Sequence, residues 1–374
     1  MPRAKSTPLD LTAKTLWPQK TELVGLVFNL QAIADSALYP QYTIGLHAWF
    51  LQQIQQFDAE LSAYLHDGES EKPFNLSGLS GQFISHSREL QLQKGKSYQW
   101  HLNALSAPTV AGLERWLRRL PDEVALKNAP LQIKNVQIAH APITYAQLSQ
   151  QGQAQSGSVS LSFLSPTSFR RKSHHLPLPW HPNVFHSYLR RWNHFSGQPV
   201  DQDAFLDWID NHVIIQRHYL ESQKVAAGKR GSLTGFVGAI AYSLARQAAA
   251  QPDFQALFYT LTQLAPYCST GHKTTFGLGQ TRLGWQSAVS LPEAASVETL
   301  LAERIAELTE TFTAQRKRQG GDRAHNIAET WATVLARREL GDSLQAIAED
   351  LEMPYETVKT YSKLARRSLR AAND

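Results

Sequence analysis

A single cysteine, Cys268, in a chain of 374 residues excludes a disulfide framework and a cysteine-built zinc site. No apolar run is long enough to span a bilayer, and no secretory leader opens the chain. A soluble, cytoplasmic protein without membrane contact is therefore expected. HExxH and HxxxH pairs and spaced carboxylate clusters are missing, which argues against a metal centre. The GxSxG elbow is missing too. No cofactor is implied. The glycine signatures of nucleotide sites also fail. Around Ser269–Gln280 (STGHKTTFGLGQ), five residues separate Gly271 from Gly277, and Leu278 follows where a P-loop needs Lys. A dinucleotide fingerprint would need glycine at the position of Arg282, and a helix after it.

What is present begins with a core. Hydrophobic residues make up 42% of the chain and there are nine tryptophans, enough for a sizeable core, and 374 residues suit two or three domains. The net charge of +5 and a pI near 9.2 point weakly to an acidic polymer as partner. Residues 1–20 read as loose. Strand patterns at 22–30, 81–90, 96–105 and 131–140 alternate with helical patterns at 42–65 and 110–120. That order, βαββαβ, predicts a ferredoxin-like domain over 21–148. The Gln/Ser-rich run 147–158 reads as a linker or hairpin tip. The order then repeats over 157–290, with strands at 159–164, 212–221, 233–242 and 281–285 and helices at 183–192, 203–211 and 252–265. The fold class expected is α+β, two tandem ferredoxin-like domains.

Beyond Pro292 the pattern becomes all-helical. Val297, Leu300, Leu301, Ile305, Leu308 and Phe312 form an amphipathic stripe within a linker helix spanning 292–319, broken by Gly320-Gly321. Over 322–374 a helix ending at Gly341, a short helix and a longer one beginning at Pro354 make a helix-turn-helix. Thr357, Lys359, Thr360 and Lys363 lie on its last helix.

Three stretches carry candidate chemistry. In Leu65–Leu79 (LHDGESEKPFNLSGL), His66 ends the first helical pattern and Lys72 follows six residues later. A histidine there is either a helix cap or a general base beside a cation. Between Pro166 and Arg191, Arg170, Arg171, Lys172, Arg190 and Arg191 occur with four histidines and no Asp or Glu. Trp180, Phe185, Tyr188 and Trp192 are interleaved with these cations, the mix that suits RNA. The third stretch is the glycine-rich loop, where Gly271, Gly277 and Gly279 surround His272, Lys273, Thr274 and Thr275. By itself it is either a turn or a grip on a phosphate backbone.

Taken in order, LHDGESEKPFNLSGL, FLSPTSFRRK with PNVFHSYLRRWN, and GHKTTFGLGQ resemble the CRISPR repeat-processing endoribonucleases of the RAMP superfamily, over residues 22–286. The resemblance implies paired ferredoxin-like domains and metal-independent cutting of precursor CRISPR RNA within its repeats. It also implies that product RNA is retained, with a CRISPR effector complex as a further partner. His66 matches the family's histidine after the first helix, and Lys72 matches a lysine that some members use. Where some members carry a tyrosine on that helix this chain has Trp49, and Tyr42 and His47 are the substitutes on offer. Arg170, Arg171, His272, Lys273 and Thr274 fall where the family grips RNA. The alternatives are a non-catalytic RNA-binding subunit and a helix-turn-helix transcription regulator. The tail resembles the DNA-reading region of sigma factors and response regulators, which makes DNA or another protein its partner.

Overall fold

The computed structural model describes residues 9–39, 41–66, 71–86, 89–172, 174–226, 232–286, 297–314, 322–340 and 342–373. The first unit contains β1 (Leu23–Ala32), β2 (Ser36–Leu38), α1 (Tyr42–Phe57), α2 (Ala59–His66), β3 (Phe74–Gly81) and β4 (Ile84–His86). It continues through β5 (Glu89–Leu92), β6 (Ser97–Ala104), α3 (Ala107–Leu117), β7 (Glu123–Val124) and β8 (Leu131–Ile143). Its main sheet is ordered β3-β6-β1-β8-β7, with antiparallel pairing throughout. With β1, β3, β6 and β8 as first to fourth strands, this is the 2-3-1-4 order of a ferredoxin-like domain.

Helix α4 (Tyr145–Gln153) leads into the second unit: β9 (Val159–Thr167), β10 (Phe169–Arg171), β11 (His174–Leu176), α5 (His181–Phe195) and α6 (Gln202–His212). There follow β12 (Val213–Ala226), β13 (Ser232–Leu244), α7 (Pro252–Cys268) and β14 (Thr281–Leu283). The sheet order β12-β13-β9-β14 repeats 2-3-1-4, so the α+β class and the doubled ferredoxin-like architecture hold.

The alternation along β1 sends Val24, Leu26, Phe28 and Leu30 to the helix side, where they meet Trp49, Phe50, Trp100 and Trp116 in one core. Leu23, Leu105, Ile143 and Tyr145 instead join the core of the second unit. The two units therefore share a seam, and each large side chain buried there contributes roughly 1.5–3 kcal/mol.

Several elements differ from the sequence expectation. The helix expected over 42–65 is two helices, broken at Asp58, where the backbone is extended; Asp58 then accepts the Leu61 N–H at 2.9 Å and starts α2. The second strand of the sheet is Phe74–Gly81, and Ile84–His86 and Glu89–Leu92 join β2 in a separate small sheet, β2-β5-β4. The run expected to be a linker or hairpin tip is in part α4, started by a reciprocal Thr144–Gln147 capping box. It is held against α7 so closely that a Cβ on Gly152 would meet Thr260 Oγ1 at 2.0 Å. Of the stretch expected to be loose, residues 1–8 lie outside the described residues. From Leu9 onward it packs on the first core, with Trp17 buried and the Leu9 N–H donating to Val136.

The tail holds α8 (Val297–Ala314), α9 (Asp322–Glu339), α10 (Leu344–Leu351) and α11 (Tyr355–Asn373). The breaks expected at Gly320-Gly321 and Gly341 lie outside the described residues. Helix α8 packs along β12 and β13 and buries Leu301, Ile305, Leu308 and Phe312 with α9. Arg337 of α9, 1% exposed, donates to Asp342 and Asp350 at 2.7 Å each and to the Tyr39 hydroxyl. Tyr39 lies between β2 and α1, so this buried cation ties the helical module to the first unit.

Candidate active site

The site begins where the second unit touches β3. Asn75 and Ser77 alternate off the strand toward that unit, and both are buried. Asn75 Nδ2 donates to the Tyr267 carbonyl at 2.6 Å, and its Oδ1 accepts from Ser269 Oγ at 3.0 Å and from Asn103 Nδ2 at 2.9 Å. Ser77 and Gly277 form a parallel bridge, and the Gly277 N–H donates to the Leu76 carbonyl at 3.2 Å. The glycine-rich loop is thus an added strand-like edge on the first unit as well as the end of the second.

Its inner shape is set by left-handed residues, Ser269 (φ 57°), Gly271 (81°), Lys273 (58°), Gly277 (85°) and Gly279 (74°). The Thr270 N–H donates to Gly279 O at 2.8 Å and the His272 N–H to Ser168 O at 3.0 Å. Beneath the loop, Arg191 is 7% exposed. It donates to Ser187 Oγ at 2.7 Å, Gly271 O at 3.2 Å and Thr274 Oγ1 at 3.4 Å. Arg191 is thus a strut for the loop. It does not join the solvent-facing cations with which the sequence grouped it. Thr274 and Thr275 are buried as well.

Around this loop lies a cavity of about 450 Å³. Glu71 and Lys72 line it from the first unit, Phe169 and Arg170 from β10, and Asn183, His186, Arg190 and Arg191 from α5. The loop closes it with Gly271 through Phe276. Arg170 and Arg171 are exposed on the β10–β11 hairpin opposite His175 and His174, and Lys172 is exposed at its turn.

His66 is the last residue of α2 and is exposed. Lys72 Nζ donates to the His66 carbonyl at 2.6 Å, which closes the helix end and holds the ammonium beside the histidine. His47 sits behind them. Burial pushes its imidazole down to about 4, with a smaller push from His66 and Lys72. Its Nδ1 meets the Thr275 carbonyl at 3.2 Å; since a carbonyl only accepts, that nitrogen carries the proton. Its ring packs 4.4 Å from Phe276. Burial likewise holds His272 at about 4, with Lys273 adding to the effect, and holds His175 low, again with help from Lys273. Lys273 itself is lowered by burial and by Arg170, against an opposing pull from Glu329 of α9. The structure therefore brings His66, Lys72 and His47 together. Of the sequence candidates, Lys72, Arg170, Arg190, Arg191 and 271–275 line the cavity, whereas His66, His47, Arg171, Lys172, Gly277 and Gly279 do not.

On α1, Tyr42 is buried and its hydroxyl accepts the Leu79 N–H at 3.2 Å. Trp49, which stands where the resemblance offers a tyrosine, is packed between Trp100 and Trp116. Glu71, His186, Asn183 and Asn75 stand out from no sequence pattern, because the site draws them together from two units far apart along the chain.

Among the described residues no three His, Cys, Asp or Glu side chains converge to hold a metal, and no helix is long and apolar enough to cross a membrane. The doubled ferredoxin-like fold, with a glycine-rich loop and a basic wall at the seam, is of the RAMP type. Residues 24–137 match the CRISPR Cas6 N-terminal domain and 161–281 match the CRISPR-associated endoribonuclease Cas6. These stretches together span well over half of the chain, which belongs to the Cas6 family. Among solved structures, a Cas6 product complex is 25% identical with a TM-score of 0.55, over 70% of this chain and 99% of that one. A second Cas6 product complex is 22% identical with a TM-score of 0.57, over 70% and 100%. Thermus thermophilus Cas6 is 20% identical with a TM-score of 0.55, over 71% and 100%. No curated protein matches the chain by sequence.

Proposed function

We propose that this chain binds precursor CRISPR RNA and cuts it within each repeat by metal-independent transesterification. One observation carries the reading: a single cavity joins Lys72, itself bonded to the His66 carbonyl, to Arg170, Arg190, His272 and Lys273 of the other unit. RNA supplies its own nucleophile, so a base and a charge stabiliser suffice. His66 takes the proton from a 2′-OH, and the freed oxygen attacks the adjacent phosphorus. The Lys72 ammonium stabilises the phosphorane. The 5′-oxygen departs with a proton, leaving a 2′,3′-cyclic phosphate and a 5′-OH. His66 is preferred to the neighbouring histidines because it is exposed, whereas burial makes His47, His272 and His175 weaker bases. Gly271–Gly279, with Arg170, Arg171, Lys172 and Arg190, grips the backbone. Retained product would then pass to an effector complex.

The test is a cleavage assay on a labelled repeat RNA, with and without EDTA, for wild type and His66→Ala. Cleavage that resists EDTA and disappears in the variant, with binding kept, is expected. Loss of cutting on adding EDTA, or full activity in His66→Ala, refutes the mechanism. RNA bound but never cut by wild type favours the non-catalytic subunit.

For the tail, we infer that duplex DNA is the partner of α11. Lys359, Lys363, Arg366, Arg367 and Arg370 follow one helical face. The last four are exposed and have no ion pair among the described residues. Near the helix start Lys359 pairs with Glu356 at 3.1 Å, and Thr360 bonds to the Glu356 carbonyl. Thr357 is half-buried there.

A further inference from the structure

One acidic side chain stands in the middle of the basic wall. Glu71 is the neighbour of Lys72, and its side chain is 12% exposed. One carboxylate oxygen accepts from Arg190 Nη2, and the other lies 3.5 Å from Arg191 Nε. Arg190 is more than half exposed and lines the cavity, whereas Arg191 is the buried strut of the glycine-rich loop. A carboxylate here opposes an incoming phosphate and cancels part of the charge that would attract it. On electrostatics alone it harms RNA binding. What it supplies is geometry: among the described residues of the loop between α2 and β3, its carboxylate is the one ion-paired to α5.

We propose that Glu71 is a positioning residue for the cleavage reaction. It clasps the segment carrying Lys72 to Arg190 and Arg191, and so sets Lys72, and through it the end of α2 with His66, at a fixed distance from the RNA-gripping loop. The inference rests on the endoribonuclease reading above. Its consequence is a split that an ordinary binding residue does not give. Removing the charge relaxes the reacting groups, for which a displacement of ~1 Å costs roughly a hundredfold in rate. The same change lifts a repulsion against the RNA backbone.

The experiment compares wild type, Glu71→Gln and Glu71→Asp in single-turnover cleavage at saturating repeat RNA, equilibrium RNA binding, and amide hydrogen exchange of the free protein. Glu71→Gln keeps the shape and some hydrogen bonding but loses the ion pair. It is expected to cut at least about tenfold more slowly while binding RNA as tightly as wild type or more tightly. Exchange should rise in peptides containing Lys72 and in those spanning Gly271–Thr275, and Glu71→Asp should recover part of the rate. A saturated rate equal to wild type overturns the proposal, as does a rate and an affinity that fall together with exchange unchanged. If wild type itself leaves the repeat uncut, the endoribonuclease reading fails. The exchange measurement still decides the clasp, and unchanged exchange in Glu71→Gln overturns it.

Discussion

Gly279 and Gly284 have similar backbone torsions, φ +74° and +90°, but very different surroundings. A Cβ on Gly279 would lie 1.9 Å from the Thr270 carbonyl oxygen and 3.0 Å from its carbon, whereas a Cβ on Gly284 meets nothing within 4 Å. Substituting alanine at both positions therefore separates torsional strain from collision. Either alanine pays for the left-handed conformation, about 1–2 kcal/mol. At Gly284 that is the whole effect. At Gly279 the Thr270 carbonyl must also move, and its own residue is held in place. The Thr270 N–H donates to Gly279 O at 2.8 Å and the Gly279 N–H donates to Pro166 O at 3.1 Å. Losing both bonds adds about 1–3 kcal/mol, so Gly279→Ala should cost about 4 kcal/mol in all. At roughly 2–4 °C per kcal/mol for a unit of this size, its melting transition should fall by about 10 °C against about 3 °C for Gly284→Ala. Calorimetry of the two variants beside wild type reads this directly. Repeat-RNA binding below the melting range should weaken in Gly279→Ala alone. Two variants melting within a degree or two of each other would refute the reasoning, since the loop would then tolerate a side chain where the geometry leaves no room.

Two other outcomes follow from charges. His47, His140 and His101 are held down by burial, to about 4, 4 and 3, from an ordinary value of 6.5. The unfolded chain takes up these protons first as pH falls, so stability should be level above about pH 7. It should drop steadily between about 6.5 and 4, and a melting temperature unchanged from pH 7 to 5 would contradict this. On α11, replacing Arg366 and Arg367 by alanine should weaken duplex DNA binding and lower the steepness of its salt dependence by about two phosphate contacts. Anisotropy titrations across a salt series measure this, and repeat-RNA cleavage should be unaffected.

The doubled ferredoxin-like order was legible because its periods are local: a strand or helix declares itself within about ten residues. The acid-free run from Pro166 to Arg191 was legible for the same reason. What compensates it was not, because Glu71 lies 119 positions from Arg190. Arg191 looked like one more surface cation until the fold buried it under the glycine-rich loop. Strand β3 was misplaced because Asn75 and Ser77 are polar, and their burial is supplied by a unit not yet formed when only 65–79 is in view. The Thr144–Gln147 capping box, by contrast, was a readable helix start that a run of glutamines concealed. His66 and Lys72 were legible as a spaced pair. Lys72's bond to the His66 carbonyl and its place in the wall that meets the glycine-rich loop emerge only in three dimensions.

The bridge between Ser77 and Gly277, with the His47–Thr275 bond beside it, has a practical consequence for re-engineering specificity. The glycine-rich loop takes its form from a strand and a helix encoded some two hundred residues earlier. A relative's glycine-rich segment transplanted alone would arrive without its mould. A workable chimera would have to exchange 269–280 together with the matching positions of β3 and α1, treating three separated stretches of gene as one module.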